Sequence, residues 1–324
     1  MKLSQLKNKI DAKLIGNSEK KIIGISSFNE PSSEKILYIS NINILSKIDI
    51  HLYGALLVSN EIHNRLKNEK SINFLVSENH RLSFAKLSKI FKKSLTIPKK
   101  IVADSCSLSL YLGNNVRIGE NFFHGSNVVI EDNSQIGDNV CLGHNVVIQS
   151  GTIISNNVII ESGTVIGSEG FGNVLSSDKE WEHIDHLGAV FIGRNVRIGS
   201  NCCIDRGTID NTIISSGVII DNLVHIAHNV FIGENTAIAA KVGIAGSCVI
   251  GKRNMIGGMV GIVDHIKTTN DVVISATSSV TKDLMEPGTY TGIMPISRHS
   301  SWKRIAFWIT KLDKIVKKFN IKKI

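Results

Sequence analysis

An aliphatic residue returns at every sixth position through residues 112–171, and this period restricts the possible folds more than any other feature of the sequence. It suits neither an amphipathic helix, which repeats about every 3.6 residues, nor a half-buried strand, which alternates about every two. It is typical of a parallel β-helix, in which each hexapeptide forms one short strand and one corner of a coil. His124 is the exception, and the other hexapeptides open with Leu112, Ile118, Ile130, Ile136, Leu142, Ile148, Ile154, Ile160 and Ile166.

The fourth position of most hexapeptides is Asn or Gly, as in Asn115, Asn145 and Gly163. These residues tolerate the left-handed backbone conformation that a sharp corner requires. The fifth position is small or β-branched and packs inward beside the first. Three such sides predict a coil of eighteen residues, so residues eighteen apart should lie directly above one another, at the strand spacing of about 4.8 Å.

The period divides the chain into three predicted regions. Residues 1–100 lack it, and their short apolar runs alternate with helical patterns, which indicates a small α/β domain that ends in a linker near Pro98. The solenoid occupies residues 101–285. Residues 286–324 form a helical extension, with an apolar face at helical spacing and mostly Lys and Arg on the rest. Such a basic amphipathic helix binds membrane headgroups, an acidic partner or another copy of the chain, and the sequence does not choose between them.

An interruption at residues 172–191 breaks the phase of the repeat. Long loops that leave a regular solenoid are usually binding elements, although a tolerated insertion is also reasonable. The segment contains Trp181, His183 and His186. We interpret both histidines as loop residues and not as metal ligands, because nothing near them in the sequence completes a ligand set.

Composition favours a cytoplasmic protein. The five cysteines include no CxxC pair, and Cys202 and Cys248 stand at the fifth position of their hexapeptides, where we expect buried free thiols in a reducing compartment. The first residues lack the apolar region of a secretory signal, and no run is long enough for an integral membrane segment. The net charge of +9 comes from scattered Lys without interleaved aromatic residues, so nucleic acid is not an expected partner.

His228 and Gly246 are the residues that most favour an enzymatic function. Gly246 follows His228 by one predicted coil, so a backbone N–H should lie open above an imidazole, with His265 one coil further up the same side. A base beside an exposed N–H suits acyl transfer through a tetrahedral oxyanion. No nucleophilic side chain is placed beside His228, which favours direct transfer to a bound acceptor. The alternative is that His228 is only an outward polar residue on a long wall.

Residues 219–239, IIDNLVHIAHNVFIGENTAIA, resemble the UDP-3-O-(3-hydroxyacyl)glucosamine N-acyltransferase family of lipid A biosynthesis. Further support comes from GSEGFG at 167–172, IDRGTIDNTII at 204–214, IGG at 256–258 and MEPGTY before the terminal helix. Hexapeptides alone are weak evidence for one activity, whereas this combination is specific. The resemblance implies a left-handed β-helix and a homotrimer with active sites between adjacent subunits.

The reaction that the resemblance implies is transfer of an (R)-3-hydroxyacyl chain from acyl carrier protein to the 2-amino group of a UDP-3-O-(3-hydroxyacyl)glucosamine. On this pattern His228 is the general base, the Gly246 N–H binds the thioester oxyanion, and His265 assists substrate binding. Asp221, seven residues before the base, is expected to orient its imidazole. The donor carries phosphopantetheine on acyl carrier protein, and no metal or enzyme-bound cofactor is expected.

Two departures from the family pattern concern substrate recognition. The aromatic-x-x-Asn element that holds uracil is met by Tyr38 and Asn41, but Ile44 replaces the Tyr that usually follows. Some relatives carry bulky Met in the stretch that matches SATSSVTK, where this chain has small polar residues, and we expect it to accept longer acyl chains. Those residues are Thr277, Ser278, Ser279 and Thr281.

The acidic acyl carrier protein is a natural partner for the basic terminal region. The expected contact residues are Lys282, Lys303 and Arg304.

Three other functions stay open for a solenoid of this kind. A UDP-N-acetylglucosamine O-acyltransferase begins directly with hexapeptides, which the domain at residues 1–100 argues against. A metal-dependent carbonic-anhydrase-like solenoid needs three histidine ligands across a subunit interface, including a pair with four residues between, and no such pair stands on the repeats. A purely structural solenoid would not depend on His228.

Overall fold

The computed structural model describes residues 1–28, 30–91, 110–293 and 296–318. The chain divides into two compact units, Met1–Thr96 and Ile97–Ile324. The predicted linker at Pro98 and the predicted domain boundary at residue 100 lie outside the described residues, as does Cys106.

The N-terminal unit is an α/β sandwich around a five-stranded sheet in the order β1-β5-β4-β3-β2. Strand β1 is antiparallel to β5, and the other pairs are parallel. The strands are β1 Lys13–Ile15, β2 Gly24–Ser26, β3 Lys35–Tyr38, β4 Ala55–Val58 and β5 Phe74–Val76. The helices are α1 Leu3–Ile10, α2 Asn60–Leu66 and α3 His80–Phe91, with short 3-10 helices at Ile42–Lys47 and Ile50–Leu52.

Both faces of this sheet are covered, so its central strand is apolar without alternation. Every residue of β4 is buried. Ala55 and Leu57 pack on the side of α1 and α3, whereas Leu56 and Val58 pack on the side of α2. The predicted α/β character of this region is confirmed.

The second unit is a left-handed parallel β-helix whose coils have three walls. Wall 1 consists of Leu110–Leu112, Val128–Ile130, Val147–Ile148, Val165–Ser168, Cys203–Asp205, His225–Ile226, Gly243–Ile244, Gly261–Ile262 and Ser279–Val280. Wall 2 consists of Arg117–Ile118, Gln135–Ile136, Ile153–Ile154, Val190–Ile192, Thr212–Ile214, Phe231–Ile232 and Val249–Ile250. Wall 3 consists of Phe123–His124, Cys141–Leu142, Ile159–Ile160, Arg197–Ile198, Ile219–Ile220, Ala237–Ile238, Met255–Ile256, Val272–Ile274 and Gly288–Tyr290.

The register of the walls confirms the eighteen-residue coil. In wall 1 His225 pairs with Gly243, Gly243 with Gly261, and Gly261 with Ser279. The opening Ile and the fifth-position Val of each hexapeptide fill the interior, and they form one continuous buried cluster. Cys202 and Cys248 are buried free thiols at fifth positions, as predicted, and burial raises the pKa of both.

The corners take the left-handed conformation at the fourth position whatever residue stands there. Asn115 and Asn145 have φ of 56°, and Leu223 and Lys241 have φ of 60° and 62°. Such angles cost an ordinary residue roughly 1–2 kcal/mol, and Asn tolerates them better because its short polar side chain forms local hydrogen bonds. Stacking of the coils therefore imposes the corner, and the sequence only makes it less costly.

Two further elements interrupt or follow the coils. Residues Asn173–Leu175 and Trp181–His183 pair as an antiparallel hairpin inside the predicted loop. The terminal region forms two helices, α4 His299–Ile309 and α5 Leu312–Lys318, separated near Thr310, whose hydroxyl donates to the Phe307 carbonyl. Among the residues that the structure describes, no helix has both the length and the apolar composition to cross a membrane.

Asn145 provides a test of the corner chemistry. Its side-chain oxygen accepts a hydrogen bond from Asn127 at 3.2 Å, and its φ is positive. We expect Asn145→Ala to lower the free energy of unfolding by roughly 1–2 kcal/mol, because Ala has no side chain that relieves a left-handed corner.

Asn145→Gly is the matched control, since it loses the same side-chain hydrogen bond but accepts positive φ. Urea denaturation of the two variants should show the smaller loss for Gly. Equal losses would mean that the hydrogen bond between the Asn side chains, and not backbone strain, determines the effect.

Candidate active site

His228 lies at a corner between wall 1 and wall 2, directly after His225–Ile226 and before Phe231–Ile232. Both departures from the regular repeat leave the solenoid at this same corner, on the two coils below. The hairpin loop connects Val165–Ser168 to Val190–Ile192, and the segment DRGTID connects Cys203–Asp205 to Thr212–Ile214. The histidine is therefore surrounded by irregular structure on an otherwise regular wall.

Gly246 lies directly above His228, as the offset of eighteen predicts. A Cβ atom added to Gly246 would stand 2.6 Å from both Nε2 and Cε1 of His228. Only a residue without a side chain fits over the imidazole in this arrangement. The edge of the ring that carries Nε2 therefore faces the backbone of Gly246.

The backbone N–H of Gly246 is open. On several other coils the third-position N–H donates to a side chain of the next coil, as in Asn114 to Asp132, Ser200 to Asn222 and Lys252 to Asn270. No described residue accepts the N–H of Gly246. It can therefore donate to a bound group, such as an oxyanion.

Asn229 determines which nitrogen of His228 carries the proton. The Asn229 side-chain nitrogen donates to the Asp210 carbonyl at 3.0 Å, so its Oδ1 faces the other way and accepts from the Thr208 N–H at 2.9 Å. The same Oδ1 lies 3.1 Å from Nδ1 of His228. An acceptor at that distance assigns the proton to Nδ1 and leaves the lone pair on Nε2, which is the form of a general base.

Asp221 and His228 lie at different corners of one chain, so the expected role of Asp221 in orienting the imidazole stays a prediction that requires a contact between subunits. Asp221 follows Ile219–Ile220 of wall 3 and lines a different cleft, together with Arg197 and Met255. Its carboxylate accepts the backbone N–H of Asn222. The reason is geometric, because seven residues carry the chain past a corner to another wall, and within one chain Asn229 is the residue that contacts Nδ1 of His228. Sequence offers no signal for Asn229, because Asn is the commonest corner residue of the repeats.

His186 packs against His228, which the sequence did not indicate. Their ring centroids are 5.2 Å apart in an edge-on arrangement, and His186 is 3% exposed. Both of its ring nitrogens are buried without a hydrogen-bond partner among the described residues. Gly170 and Gly172 make room for it, since an added Cβ would lie 2.8 Å and 2.6 Å from its ring atoms.

His183, the second loop histidine, is exposed and serves to hold the loop. Its Nε2 lies 3.0 Å from the carboxylate of Glu169. This hydrogen bond lowers the pKa of the Glu169 carboxyl, to which the backbone N–H of His186 also contributes. The loop that carries His186 is thereby tied to the coil on which it begins.

A cleft of about 710 Å³ opens along wall 1 beside His228. Its floor is open because Gly243 and Gly261 have no side chains, and a Cβ added to either would meet nothing within 4 Å. Ser279 lines its upper end, and His265 lines its side in an exposed corner position with φ of 61°. The structure therefore brings together three of the predicted site residues, His228, Gly246 and His265.

Only Ser279 of the four predicted channel residues faces this cleft. Ser278 is buried and accepts the backbone N–H of Gly292. The Thr277 hydroxyl donates to the neighbouring carbonyl of Ala276, and Thr281 is exposed away from the cleft lining. The expected effect on acyl chain length thus depends on one residue.

The predicted uracil residues lie in the N-terminal unit, at one end of its sheet. Asn41 lines a cleft of about 470 Å³ together with His80, and its Oδ1 accepts the N–H of Asn43. The ring of Tyr38 stacks on Phe84, with 4.3 Å between centroids, and lies next to His80. One face of Tyr38 is therefore already covered by Phe84, and sequence reasoning missed His80 as a lining residue.

The three predicted contact residues of the terminal region are all exposed. Lys282 follows the last strand of wall 1, whereas Lys303 and Arg304 lie on α4. None forms an ion pair with a residue in the described part of the chain. Their charges are available to an acidic surface.

The fold and the repeats define the class of protein, a left-handed β-helix built from transferase-type hexapeptides. A family model described as bacterial transferase hexapeptide (six repeats) matches residues 115–150. A solved UDP-N-acetylglucosamine acyltransferase from Campylobacter jejuni superposes with a TM-score of 0.51 over 57% of this chain and 70% of its own, at 21% identity. That similarity concerns the fold alone.

Curated relatives give a more specific similarity. The chain is 48% identical over 149 residues to a UDP-3-O-acylglucosamine N-acyltransferase of Bordetella avium, covering 45% of this chain and 41% of the relative. It is 42% identical over 149 residues to the protein of the same name from Albidiferax ferrireducens, covering 46% and 45%. The chain thus spans less than half the length of these curated relatives.

Gly246→Ala tests the stacking of glycine over histidine. We expect the new methyl group to displace the His228 ring, because its Cβ would lie 2.6 Å from Nε2. The imidazole signals of His228 in nitrogen-15 NMR spectra should shift, while the protein stays folded by circular dichroism.

Gly243→Ala is the matched control on the same wall, where an added Cβ meets nothing within 4 Å. Its spectrum should keep the His228 signals of the wild type. Unchanged His228 signals in Gly246→Ala would refute the stacked arrangement.

Proposed function

We propose that this protein is an N-acyltransferase of lipid A biosynthesis. It transfers an (R)-3-hydroxyacyl chain from acyl carrier protein to the 2-amino group of UDP-3-O-(3-hydroxyacyl)glucosamine. The observation that carries the proposal is the pair formed by the bare Nε2 of His228 and the open N–H of Gly246. The names of the curated relatives support the choice of acceptor.

The reaction proceeds by direct attack of the acceptor amine on the thioester. Nε2 of His228 takes a proton from the 2-amino group as its nitrogen bonds to the carbonyl carbon. The carbonyl oxygen becomes an oxyanion, to which the Gly246 N–H donates. The intermediate then collapses: the carbon–sulfur bond breaks, and the imidazolium of His228 returns its proton to the phosphopantetheine sulfur. The products are an amide and a free thiol.

A covalent acyl-enzyme is not part of this mechanism. Cys203 is the cysteine on wall 1 nearest in register to the site, one coil below His225. Burial raises the pKa of the Cys203 thiol, which keeps it protonated and a weak nucleophile. No cysteine lines the cleft within the described ranges. The enzyme requires no cofactor of its own, because the donor supplies the activated thioester.

The cleft along wall 1 accommodates the acyl chain, and the N-terminal cleft accommodates the uracil. Gly243, Gly261 and Ser279 form a groove without bulky side chains, which suits an extended alkyl chain. His265 lies on its edge, where it hydrogen-bonds the substrate. Asn41 offers an amide to the base, and Tyr38 with His80 offers ring surface nearby.

A homotrimer completes the sites between adjacent subunits. Apolar side chains stand outward on the walls: Ile219 is 51% exposed, Met255 57% and Met259 60%. Contacts with another copy would remove this surface from water. Acyl carrier protein, an acidic partner, docks on Lys282, Lys303 and Arg304. We place the reaction in the cytoplasm, where Cys202 and Cys248 stay reduced.

His228→Ala is expected to lower kcat for N-acylation by about 10²–10⁴-fold, the usual contribution of a general base. Purified protein would be given hydroxyacyl carrier protein with UDP-3-O-acylglucosamine, and separately with UDP-N-acetylglucosamine. Product formation followed by mass spectrometry should occur only with the amine acceptor.

His144→Ala is the control, because His144 is an exposed histidine of the regular wall outside the cleft. It should retain the wild-type rate. N-acylation that persists in His228→Ala would refute the mechanism, and acylation of UDP-N-acetylglucosamine would identify the chain as an O-acyltransferase.

Ser279→Met is expected to shift donor preference toward shorter acyl chains, because the longer side chain would obstruct the upper end of the groove on wall 1. The measurement is kcat/KM for a series of acyl carrier protein donors of increasing chain length. Thr281→Met, which adds the same bulk outside the cleft, should keep the wild-type preference. A wild-type preference that is already sharp for short chains would contradict an open groove.

A further inference from the structure

We propose that Cys203, Asp205 and His225 form a binding site for a zinc ion, on wall 1 at the lower end of the cleft. This inference departs from the expectation that the protein binds no metal. It does not rest on acyl transfer, since the three side chains are brought together by the stacking of two coils.

The strand register places the ligands side by side. Cys203 pairs directly with His225 of the next coil, and Asp205 follows Cys203 by two residues on the same strand. One donor atom from each residue lies within 4.8 Å of the others. Nε2 of His225 is 3.5 Å from Oδ2 of Asp205, and Sγ of Cys203 is 3.6 Å from Oδ1 of Asp205. Zinc bonds of about 2.0–2.3 Å place tetrahedral ligands roughly 3.3–3.8 Å apart, so little movement is needed.

Charge gives an independent argument. Asp205 is 5% exposed, and a buried carboxylate needs a cationic partner. The neighbouring Arg206 is not the cationic partner of Asp205, because its guanidinium donates to the carbonyls of Gly167 and Ser150. The ion-pair partner of Asp205 among the described residues is His225, which is neutral unless protonated. A divalent cation with one carboxylate and one thiolate gives a neutral cluster.

The donor set favours zinc over magnesium or calcium. A thiolate and an imidazole are ligands of zinc, whereas the alkaline-earth ions prefer oxygen. Without metal, burial and the nearby Asp205 carboxylate keep the Cys203 thiol protonated, since both raise its pKa. Binding forms the zinc–sulfur bond and releases the thiol proton to solvent, so affinity should increase with pH.

Ser168 supplies the support that metal ligands usually have. Its hydroxyl donates to Oδ1 of Asp205 at 2.8 Å, which orients the carboxylate and leaves Oδ2 toward His225. Asp205 and His225 line the same cleft as His228. The fourth position of a tetrahedral ion would therefore be open to water from the cleft.

A second group of potential ligands, Glu169, His183 and Asp185, lies on the hairpin loop. All three are exposed, and the carboxylate of Glu169 already accepts from His183. Exposed acidic groups of this kind are common without a metal. We therefore assign the ion to Cys203, Asp205 and His225. The experiment below also tests whether the ion binds at the second group instead.

The experiment uses the full chain without an affinity tag, stripped of metal and titrated with Zn²⁺ and then with Co²⁺. We expect one equivalent of Zn²⁺ per chain and a near-ultraviolet thiolate-to-cobalt absorption band. Cys203→Ser should abolish the band, and both Cys203→Ser and His225→Gln should weaken Zn²⁺ binding by more than about a hundredfold, since loss of an outer-shell partner alone costs about 10–100-fold.

Cys141→Ser, a half-buried cysteine on wall 3, is the matched control and should bind as the wild type does. Thermal denaturation in chelator establishes that each variant is folded, and His225→Gln changes an exposed side chain, so one variant remains informative if Cys203→Ser is unstable. Equal Zn²⁺ binding by wild type and Cys203→Ser would overturn the proposal. So would loss of binding in His183→Gln alone, which would place the ion on the loop.

Discussion

Backbone hydrogen bonds between successive coils are the interaction on which the rest of this structure depends. They fix the height of every residue relative to the one eighteen positions away, and they pass directly through the candidate site. The Ser247 N–H donates to the His228 carbonyl at 2.9 Å, and the His265 N–H donates to the Gly246 carbonyl at 3.0 Å. These parallel hydrogen bonds hold His228, the N–H of Gly246 and His265 at fixed heights along the solenoid axis.

The candidate site lies where the solenoid departs from its regular repeat. On several regular coils a side chain of the next coil accepts the third-position N–H, as Asp132 does for Asn114 and Asn270 for Lys252. At Gly246 no described residue accepts this N–H, and it is available to a ligand. The same corner receives both irregular segments, and the second of them, DRGTID, brings Asn229 its partners Thr208 and Asp210. Departure from the repeat is thus what turns a structural wall into a site.

Much of the site follows from the six-residue period, but not the groups that prepare it. The offset of eighteen predicts Gly246 above His228, because one coil is a fixed number of residues. His186 is different: it lies on a loop whose path no periodicity describes, and the structure buries it against His228. Asp221 is a different case: it is close to His228 in sequence, but within one chain a corner places the two residues in different clefts.

The sequence by itself determined the class of fold, the spacing of its coils and the α/β character of the first unit, because hydrophobic period and corner residues are local properties. It also identified His228, Gly246 and His265 as neighbours. Only the tertiary structure decided that Asn229 holds the proton on Nδ1, that His186 packs on the imidazole, and that Cys203, Asp205 and His225 meet. Each of these contacts depends on an irregular segment: DRGTID orients Asn229 and separates Cys203 from His225 along the chain, and the hairpin loop carries His186. Across such a segment the distance in sequence no longer measures the distance in space.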